Sequence, residues 1–485
     1  MNKIFKLNLL IIIFSLVMFI IVISCGGSKG GGGIIPIGGG GSGGSGGGGS
    51  GSPNISFNNQ GYLIVQTKAN SIDTNNVNFN FQTVNPNVLA NTNEFNRNIN
   101  NSYREYKCGF IPSTKNQANQ NIYYSITPPN VGDFQNFPVY NFATQSIENV
   151  NAKCVYVSDN PNPKYAIWVD NDISDNYNEE ALYNANSAGI ISHFNNNYNT
   201  LTANIGALNF YVDILITEKI DTTTGGPTTI GYFAGFEDPQ RVNVHPFTFS
   251  LNYGSYNEFN VTLAHEFVHL LEYNKTTIGN HERWIAEGLA TYGEDLCGYS
   301  GQVRINSIIF FFNNPETTPL ITTNPSFGNY GKSFLFIKQL DQRFTNAWSN
   351  MVTSNLDGIN LIENINGSED FLTTVDKFNI AVLLDTNDNN PTYDFIGLDL
   401  NSATFNNGIY RFNGWNNGTL QSMGADPTMN NYSAYYLYKN TGFNGNILVN
   451  SVNLLFNDFV DTVAGPWSIK QDDFNNSLRF IVVYR

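Results

Sequence analysis

The sequence predicts an α+β fold, in which a central domain with a mixed sheet followed by helices is flanked by β-rich regions. In the centre of the 485-residue chain, apolar runs typical of buried strands come before long stretches with helical periodicity. Toward both ends, apolar and polar residues alternate over short runs separated by Asn, Ser and Pro, which indicates strands and turns. We therefore expect an N-terminal β domain at residues 54–150, a central domain at 151–405 and a C-terminal β region at 406–485.

The first 25 residues have the pattern of an export signal. A short basic start is followed by an apolar run from residue 9 to 23. The run ends in Ser24-Cys25-Gly26, which resembles the bacterial lipobox, where the cysteine is lipidated and becomes the new N-terminus. An uncleaved transmembrane anchor is the alternative, because about 20 apolar residues can span a bilayer. On either interpretation the rest of the chain is exported, and Cys25 is the predicted lipidation site.

Residues 26–53 consist almost entirely of Gly and Ser. A segment of this composition behaves as a flexible coil, and we interpret it as a tether that holds the folded part away from a membrane. The sequence thus predicts a protein of the bacterial cell envelope that is lipid-anchored and faces outside the cytoplasm. The membrane is one expected partner.

The charge and the cysteines limit which partners, disulfides and metal sites are expected. The net charge is −15, and Lys and Arg form no cluster that would bind phosphates, so nucleic acid is not an expected partner. Besides Cys25, three cysteines allow one disulfide or none, and the pair expected is Cys108 with Cys154. The fourth cysteine, Cys297, would then be a free thiol. No CxxC pair is present, which argues against a cysteine-ligated metal site.

Short strands are predicted in both flanking regions. Val77, Phe79 and Phe81 alternate with Asn, which is the period of a half-buried strand. In the tail, the runs 434–438, 446–456 and 478–484 have the same character. We expect no chemistry from the N-terminal domain, and we expect the tail to form a second β domain or a β extension packed on the central domain. Within the central domain, residues 178–196 have helical spacing and residues 212–217 predict a strand.

The chemistry of the chain is predicted at the pentapeptide His265-Glu266-Phe267-Val268-His269. Positions i and i+4 of a helix lie one above the other, so the two histidines can present ring nitrogens to one metal ion. An apolar stripe supports the helix, with members at Val261, Ala264, Val268 and Leu271. Glu266 flanks the first histidine and is placed to act on water as a general base. Two surface histidines on an amphipathic helix are the alternative.

A third ligand is needed, because a catalytic zinc takes three protein ligands and keeps an open position. In metzincins the motif continues with Gly and a third His, but this chain has Glu272 and Lys275 at those positions. Gluzincins instead use a Glu on a following helix. Glu287 comes after a gap of 17 residues from His269, which leaves room for a loop and an antiparallel helix. The predicted cofactor is therefore Zn²⁺, with Glu287 as the third ligand.

Residues 263–295 resemble the hyicolysin family of secreted bacterial zinc metallopeptidases, which pair an HExxH helix with a W-x-x-E-G-x-A helix. Looser similarities at 231–233, 330–344 and 379–382 extend the resemblance over roughly residues 151–400. The resemblance implies a gluzincin-type catalytic domain, a glutamate zinc ligand, export, and endopeptidase activity on protein or peptide substrates.

A neighbouring gluzincin group, the alanyl aminopeptidases, shares the pattern E-G-x-A-x-Y-x-E found at 287–294. Those enzymes also carry a G-x-M-E-N segment that holds the substrate amine, and no Met of this chain lies in that context. An aminopeptidase-like exopeptidase is therefore the weaker alternative.

Other side chains are predicted to support the site. Glu294 lies two helical turns after Glu287, where it can accept the outer N–H of a ligand histidine, and a solvated carboxylate is the alternative. Tyr330 is the predicted donor to the oxyanion, with Tyr292 as its competitor. His281 lies between the two predicted helices that carry the metal ligands. It could act as a hydrogen-bond donor or a proton shuttle, but we expect it to be a surface histidine.

Further predictions concern residues around the site. His193 and His245 are expected to be structural, because no partner pattern accompanies them. The segment 246–251 is expected to be the strand before the motif helix. In related metallopeptidases the edge strand beside the zinc pairs with an extended substrate backbone, and an ordinary core strand is the compatible alternative.

The predicted function is that of a lipid-anchored, extracytoplasmic zinc metalloendopeptidase. Glu266 takes a proton as water attacks a peptide carbonyl, and it later passes that proton to the leaving amine. A surface adhesin or binding lipoprotein on an inactive peptidase fold is the alternative from another class, although the intact motif argues against it. A zinc enzyme that acts on a non-peptide carbonyl is a third possibility, because the same site activates water for any carbonyl.

Overall fold

The structure is a computed structural model. It describes residues 127–158, 164–172, 176–223, 226–235, 237–253, 256–299, 302–315, 317–367, 369–385 and 389–400, the outlying strands given below, and Ser402, Phe405 and Tyr432. The signal peptide, Cys25 and the tether at 26–53 lie outside the described residues, so their assignments stay predictions.

Helices dominate the second half of the central region. They are α1 (Glu179–Thr202), α2 (Glu258–Lys275), α3 (Arg283–Leu296), α4 (Gln302–Asn313), α5 (Phe327–Arg343), α6 (Ala347–Val352), α7 (Gly358–Asn366) and α8 (Phe371–Leu384). Short 3₁₀ helices lie at Glu218–Ile220 and Pro246–Ser250. In the described part of the chain, no helix is long and apolar enough to cross a membrane.

Strands occur before, between and after these helices. They are β1 (Gly61–Thr67), β2 (Val77–Asn78), β3 (Phe81–Thr83), β4 (Lys107–Phe110), β5 (Phe134–Asn141), β6 (Ser146–Val157), β7 (Tyr165–Asp170), β8 (Val212–Ile216), β9 (Thr229–Phe233), β10 (Arg241–Val244), β11 (Asn252–Tyr253), β12 (Tyr256–Asn257), β13 (Thr428–Met429), β14 (Ala434–Lys439), β15 (Ile447–Val449), β16 (Val452–Leu454), β17 (Val460–Val463), β18 (Ser468–Asp473) and β19 (Leu478–Tyr484).

The central sheet is mixed and has the order β4-β9-β10-β8-β7-β6-β5. Strands β7, β8 and β10 are parallel to one another, whereas β9 is antiparallel to β10, and β5 and β6 form an antiparallel hairpin beside β7. The mixed sheet followed by helices agrees with the α+β prediction.

Alternate residues of β7 enter two separate cores, as the two-residue period of a strand requires. On one face, Tyr165 packs on Phe194 of α1, and Phe194 packs on Phe267 of α2, with ring centroids 4.8 and 5.2 Å apart. On the other face, Trp168 packs on Phe137 of β5. Burial of each such ring contributes about 1.5–3 kcal/mol. The first core therefore fixes α2, which carries the metal-binding motif, onto the sheet.

Strands from both flanking regions share one antiparallel sheet with the order β14-β1-β19-β18-β17. Thus β1, from the expected N-terminal domain, pairs with β14 and β19 from the expected C-terminal region. The expected limit between residues 150 and 151 falls inside β6, which belongs to the central sheet. The domain limits themselves stay a prediction.

The expected strand at 246–251 is wrong, because residues Pro246–Ser250 form a 3₁₀ helix. Pro246 occupies the first helical turn, where its fixed φ and missing N–H suit a helix. The His245 side chain caps this turn by accepting a hydrogen bond from Phe247 N at 3.0 Å. The substrate-pairing role suggested for this segment therefore fails with the strand.

The expected Cys108–Cys154 disulfide is also wrong. Cys154 is a buried free thiol whose Sγ donates to the Tyr156 carbonyl oxygen at 3.6 Å. Cys108 lies on β4 and Cys154 on β6, and four strands separate β4 from β6. At about 4.8 Å per strand spacing, the two backbones are roughly 24 Å apart along the sheet, far beyond the reach of a disulfide. Cys297 is likewise buried and free, as expected for the unpaired thiol.

Candidate metal centre

Helix α2 presents the motif from inside the protein. It begins after Asn257, whose side chain accepts a hydrogen bond from Phe259 N at 2.9 Å, and this satisfies a free amide of the first turn. Every residue from Glu258 to Tyr273 is buried. The alternative of two histidines on an amphipathic surface helix is therefore wrong.

Helix α3 approaches α2 unusually closely at Gly293. A Cβ atom at this position would stand 2.4 Å from Cγ2 of Val268, so that only glycine permits this packing. The loop of residues 276–282 reverses the chain and lets α3 pack along α2. Glu287, on the buried part of α3, consequently reaches the two histidines of α2.

Three ligand atoms converge between the two helices. Nε2 of His265 lies 3.2 Å from Oε2 of Glu287, and Nε2 of His269 lies 3.8 Å from the same oxygen. One ligand atom from each of the three residues lies within 4.8 Å of the other two. Two imidazoles and one carboxylate form a donor set that suits zinc in a catalytic site, where a fourth position is kept for water or substrate.

The outer ring nitrogens of both histidines face carboxylates. Nδ1 of His265 lies 2.8 Å from Oε1 of Glu294, as the spacing along α3 predicts. Nδ1 of His269 lies 3.7 Å from Oε2 of Glu272, which is longer than a hydrogen bond and short enough for a charge contact. A proton held on each Nδ1 leaves both Nε2 lone pairs directed inward, and this is the tautomer that binds a metal.

The electrostatics of the cluster favour a cation. Burial alone would raise the pKa of Glu287, yet its contacts with His265 and His269 hold that pKa well below the usual range. Burial alone would lower the pKa of His269, but the neighbouring carboxylates of Glu272 and Glu287 raise it to about 9. Positive charge is thus stabilised at this position, and a zinc ion held by His265, His269 and Glu287 would supply it.

Glu266 lies at the contact between α2 and the sheet. Its side chain is fully buried, and its Cγ stands 3.3 Å from the position of a Cβ on Gly231 of β9. The residue directly follows the ligand His265. A carboxylate that is shielded from bulk water and adjacent to a metal ligand is suited to take up and hold a proton.

Tyr330 is nearly buried at the start of α5, beside Arg283 of α3. Burial tends to lower the pKa of Arg283, but the contacts of its guanidinium with Tyr330 and Glu287 raise it above its ordinary value. Nε of Arg283 lies 3.5 Å from Oε1 of Glu287. One guanidinium therefore contacts both Tyr330 and a ligand of the metal centre.

Tyr292, the competing oxyanion donor, has a different environment. Its hydroxyl donates to Oδ2 of Asp341 at 3.0 Å, and burial together with that carboxylate raises the pKa of Tyr292 strongly. This contact points the hydroxyl toward α5 rather than toward the ligand histidines. The geometry favours Tyr330 over Tyr292.

The three remaining histidines lie in local contacts. The expectation that His281 is a surface residue is wrong, because its side chain is buried and Nδ1 lies 2.6 Å from Oε1 of Glu272. His245 caps the 3₁₀ helix, and burial lowers its pKa to about 4. Nδ1 of His193 lies 3.4 Å from the Tyr299 hydroxyl. The latter two contacts are those of structural residues.

Sequence analysis missed two residues of this region, Glu272 and Arg283. Glu272 follows His269 by one helical turn, and this spacing on a metal-binding helix is a usable signal for an outer partner. Arg283 precedes Glu287 by four residues on α3, which likewise brings the two side chains together.

Comparison with known proteins shows a distant likeness to a solved structure. No protein-family model matches the sequence, and no curated protein matches it. Among solved structures, the chain is similar to an M1 zinc metallopeptidase from Deinococcus radiodurans, with 11% sequence identity and a TM-score of 0.28. The similarity covers 55% of this chain and 55% of that one, so the chain spans about half the length of the peptidase that it matches. The resemblance to the hyicolysin family stays a prediction.

Proposed function

We propose that this chain is a zinc-dependent endopeptidase that is lipid-anchored at Cys25 and acts outside the cytoplasm. The observation that carries the proposal is the convergence of His265, His269 and Glu287, together with a buried carboxylate, that of Glu266, directly after the first ligand in sequence. A metal-binding triad alone would suit a structural zinc as well. A general base next to a three-ligand site is what hydrolysis requires in addition.

Zinc, when bound by these ligands, supplies a Lewis acid that activates water and polarises a substrate carbonyl. Glu266 removes the proton from the attacking water and keeps it within the buried site. It then delivers the same proton to the nitrogen of the leaving amine, which breaks the peptide bond. The two steps return Glu266 to its carboxylate form, so one residue acts first as base and then as acid.

Tyr330 donates its hydroxyl proton in a hydrogen bond to the carbonyl oxygen as negative charge develops there. Its contact with Arg283 supports this assignment, because a neighbouring guanidinium makes a phenol a better hydrogen-bond donor. Glu294 holds the ring of His265 in the metal-binding tautomer through the 2.8 Å contact. The substrates are proteins or peptides, and we place them in the extracytoplasmic space that the predicted anchor faces.

Cleavage of an unfolded protein tests the catalytic assignment. Purified wild-type protein with zinc is expected to produce internal cleavages, which mass spectrometry maps. Glu266→Gln is expected to lose about 100- to 10,000-fold in rate while retaining zinc. Glu180→Gln, on helix α1 and outside the metal centre, is the matched control and is expected to cleave like wild type. Cleavage by Glu266→Gln at the wild-type rate would refute the mechanism.

Two peptide substrates separate the endopeptidase from its alternatives. A peptide blocked at its N-terminus is cut by an endopeptidase but not by an aminopeptidase. A protein that binds zinc and cleaves neither the blocked nor the free peptide would favour the adhesin or binding lipoprotein on an inactive fold. Zinc analysis alone does not distinguish these cases, so the peptides are needed.

The anchor has its own test. Cells that express the full-length wild-type chain are expected to incorporate a labelled fatty acid into it and to retain it in the membrane fraction. Cys25→Ser is expected to lose the label, because the predicted lipobox then has no thiol to be acylated. Labelling of Cys25→Ser would show that the lipobox is not the modification site, whereas the peptidase proposal would stand.

A further inference from the structure

Glu272 is a buried carboxylate at which several contacts of the metal centre meet. It lies one turn after His269 on α2, and its side chain is fully shielded from water. Oε1 accepts a hydrogen bond from the backbone N–H of His281 at 2.5 Å, and Nδ1 of the same residue lies 2.6 Å away. Oε2 accepts from Nδ2 of Asn280 at 3.2 Å. The same Oε2 lies 3.7 Å from Nδ1 of His269.

This number of partners is what a desolvated carboxylate needs. Removal of an ionised carboxylate from water costs several kcal/mol unless hydrogen bonds and opposite charge replace the lost hydration. The contacts of Glu272 come from two different parts of the chain, its own helix and the loop of residues 276–282. A carboxylate satisfied in this way fixes both parts relative to each other, because displacement of either one leaves it unpaired.

The loop that Glu272 holds leads directly into the third ligand. Asn280 Nδ2 also donates to the carbonyl oxygen of His269 at 2.9 Å, so this side chain binds both Glu272 and the backbone of a metal ligand. Two residues after His281, helix α3 begins at Arg283, and Glu287 follows one turn later. The next loop residue, Glu282, donates its backbone N–H to Oδ1 of Asp357 at 2.8 Å. The start of α3 is thus fixed on both sides.

We propose that Glu272 is a positioning residue for two of the three ligands. It orients the imidazole of His269 through Nδ1, and it sets the position of Glu287 by holding the 276–282 loop through His281 and Asn280. This inference rests on the proposed zinc site. It goes beyond that proposal, because a site without Glu272 would still contain all three ligands.

Zinc affinity of the full chain, measured by competition with a chromophoric chelator, tests the inference. Glu272→Gln is expected to bind zinc about 10- to 100-fold more weakly than wild type, which is the range for loss of an outer partner of a metal ligand. Glu369→Gln is the matched control, because Glu369 pairs with Arg343 and Lys377 rather than with the metal centre. It is expected to lose stability while its zinc affinity stays within about twofold of wild type.

Cobalt provides a readout that simple destabilisation does not change. The visible spectrum of the Co²⁺-loaded protein reports ligand geometry, so Glu272→Gln is expected to change band positions and intensities at full metal occupancy. Co²⁺-loaded Glu369→Gln is expected to match wild type. A Glu272→Gln variant with wild-type zinc affinity and a wild-type cobalt spectrum would overturn the inference alone.

Two further outcomes are decisive as well. If Glu272→Gln does not fold, His281→Leu removes the imidazole contact with Glu272 while leaving Glu272 and the backbone N–H of residue 281 in place, and at least about tenfold weaker zinc binding is expected. Unchanged affinity in a folded His281→Leu variant would overturn the inference. A wild-type chain that binds no zinc would overturn the proposed function itself, and the inference with it.

Discussion

Two buried groups of charges in this protein are balanced in different ways. On the sheet, Arg241 is almost fully buried, and its Nη2 donates to Glu237 at 2.9 Å and to the Pro138 carbonyl oxygen at 2.6 Å. Asp238 and Asn243 complete this arginine cluster. In the metal centre, the carboxylates of Glu272, Glu287 and Glu294 instead face imidazoles.

The difference concerns where the positive charge comes from. A guanidinium stays protonated at any physiological pH, so the arginine cluster contains its own permanent cation. Imidazoles carry a charge only when they bind a proton, and a metal ligand must be neutral. The balance of the metal centre therefore depends on protons or on an added cation.

Removal of the Arg241 guanidinium is expected to change the unfolding free energy most. Arg241→Met leaves the buried side chain of Glu237 and the partly exposed one of Asp238 beside an apolar side chain, and the unfolding free energy is expected to fall by about 3–5 kcal/mol. The loss is measured by urea unfolding with and without a chelator. The same loss is expected under both conditions, because no metal takes part. A loss that appears only in the presence of zinc would contradict the comparison.

Zinc binding at the metal centre is expected to raise the unfolding free energy by an amount similar to the loss in Arg241→Met. Free zinc at about 1,000 times its dissociation constant is expected to raise the unfolding free energy by about 4 kcal/mol. His269→Ala is expected to abolish most of this increment, whereas Arg241→Met keeps it on a lower baseline. Urea unfolding at fixed free zinc measures both. An equal increment in wild type and His269→Ala would place the stabilising zinc elsewhere.

The metal centre was largely predictable from the sequence because its information is local. His265 and His269 share one helix, and the spacing on α3 predicts that Glu294 lies on the same face as Glu287. The contact of Glu294 with His265 follows from this spacing once the helices pack antiparallel. Helical geometry alone determines such faces, whatever the rest of the fold.

The features that the sequence did not predict depend on the path of a loop, on capping and on contacts between distant parts of the chain. The position of His281 follows from the path of a loop, which no periodicity specifies. The segment 246–251 alternates like a strand, but its capped first turn and Pro246 favour a 3₁₀ helix instead. The pairing of β1 with β14 and β19 joins strands more than 350 residues apart in sequence, so no local pattern could indicate it.

Glu258 allows a test of excess negative charge near the metal centre. Burial, and then the charge of Glu294, raise the pKa of Glu258 from 4.5 to about 8, although His265 opposes the shift. A raised carboxyl pKa means that the folded state prefers the protonated form. Stability is therefore unaffected below pH 4.5 and is lost as pH rises from 4.5 through 8.

Glu258→Gln removes this titration and is expected to be the more stable protein at pH 8, by a margin of about 4 kcal/mol. Unfolding of the metal-free proteins at pH 4.5 and at pH 8 measures the change. The margin is expected to shrink toward zero at pH 4.5, where Glu258 is protonated in the folded state and about half protonated in the unfolded state. A margin that is the same at both pH values would show that packing, rather than charge, separates the variants.

Gly231 of β9 lies between the arginine cluster and the metal centre. A methyl group added at this position therefore tests whether the two are coupled. A Cβ would stand 2.4 Å from Cγ2 of Thr262 and 3.3 Å from Cγ of Glu266, on the side of the metal centre. The next residue, Tyr232, donates its hydroxyl to Glu237 of the arginine cluster at 2.9 Å. Gly231→Ala is expected to cost about 1–3 kcal/mol of stability through overpacking.

The same substitution is expected to displace Glu266 and lower kcat, with zinc affinity unchanged because no ligand contacts the new methyl group directly. Gly189→Ala is the matched control: nothing lies within 4 Å of a Cβ at this helix position, and the change is expected to stabilise the protein by about 0.5–1 kcal/mol. A Gly231→Ala variant that also loses zinc affinity would mean that the sheet transmits strain to the ligands. Strand β9 would then couple the arginine cluster, which contains a permanent cation, to the metal centre, which has to bind one.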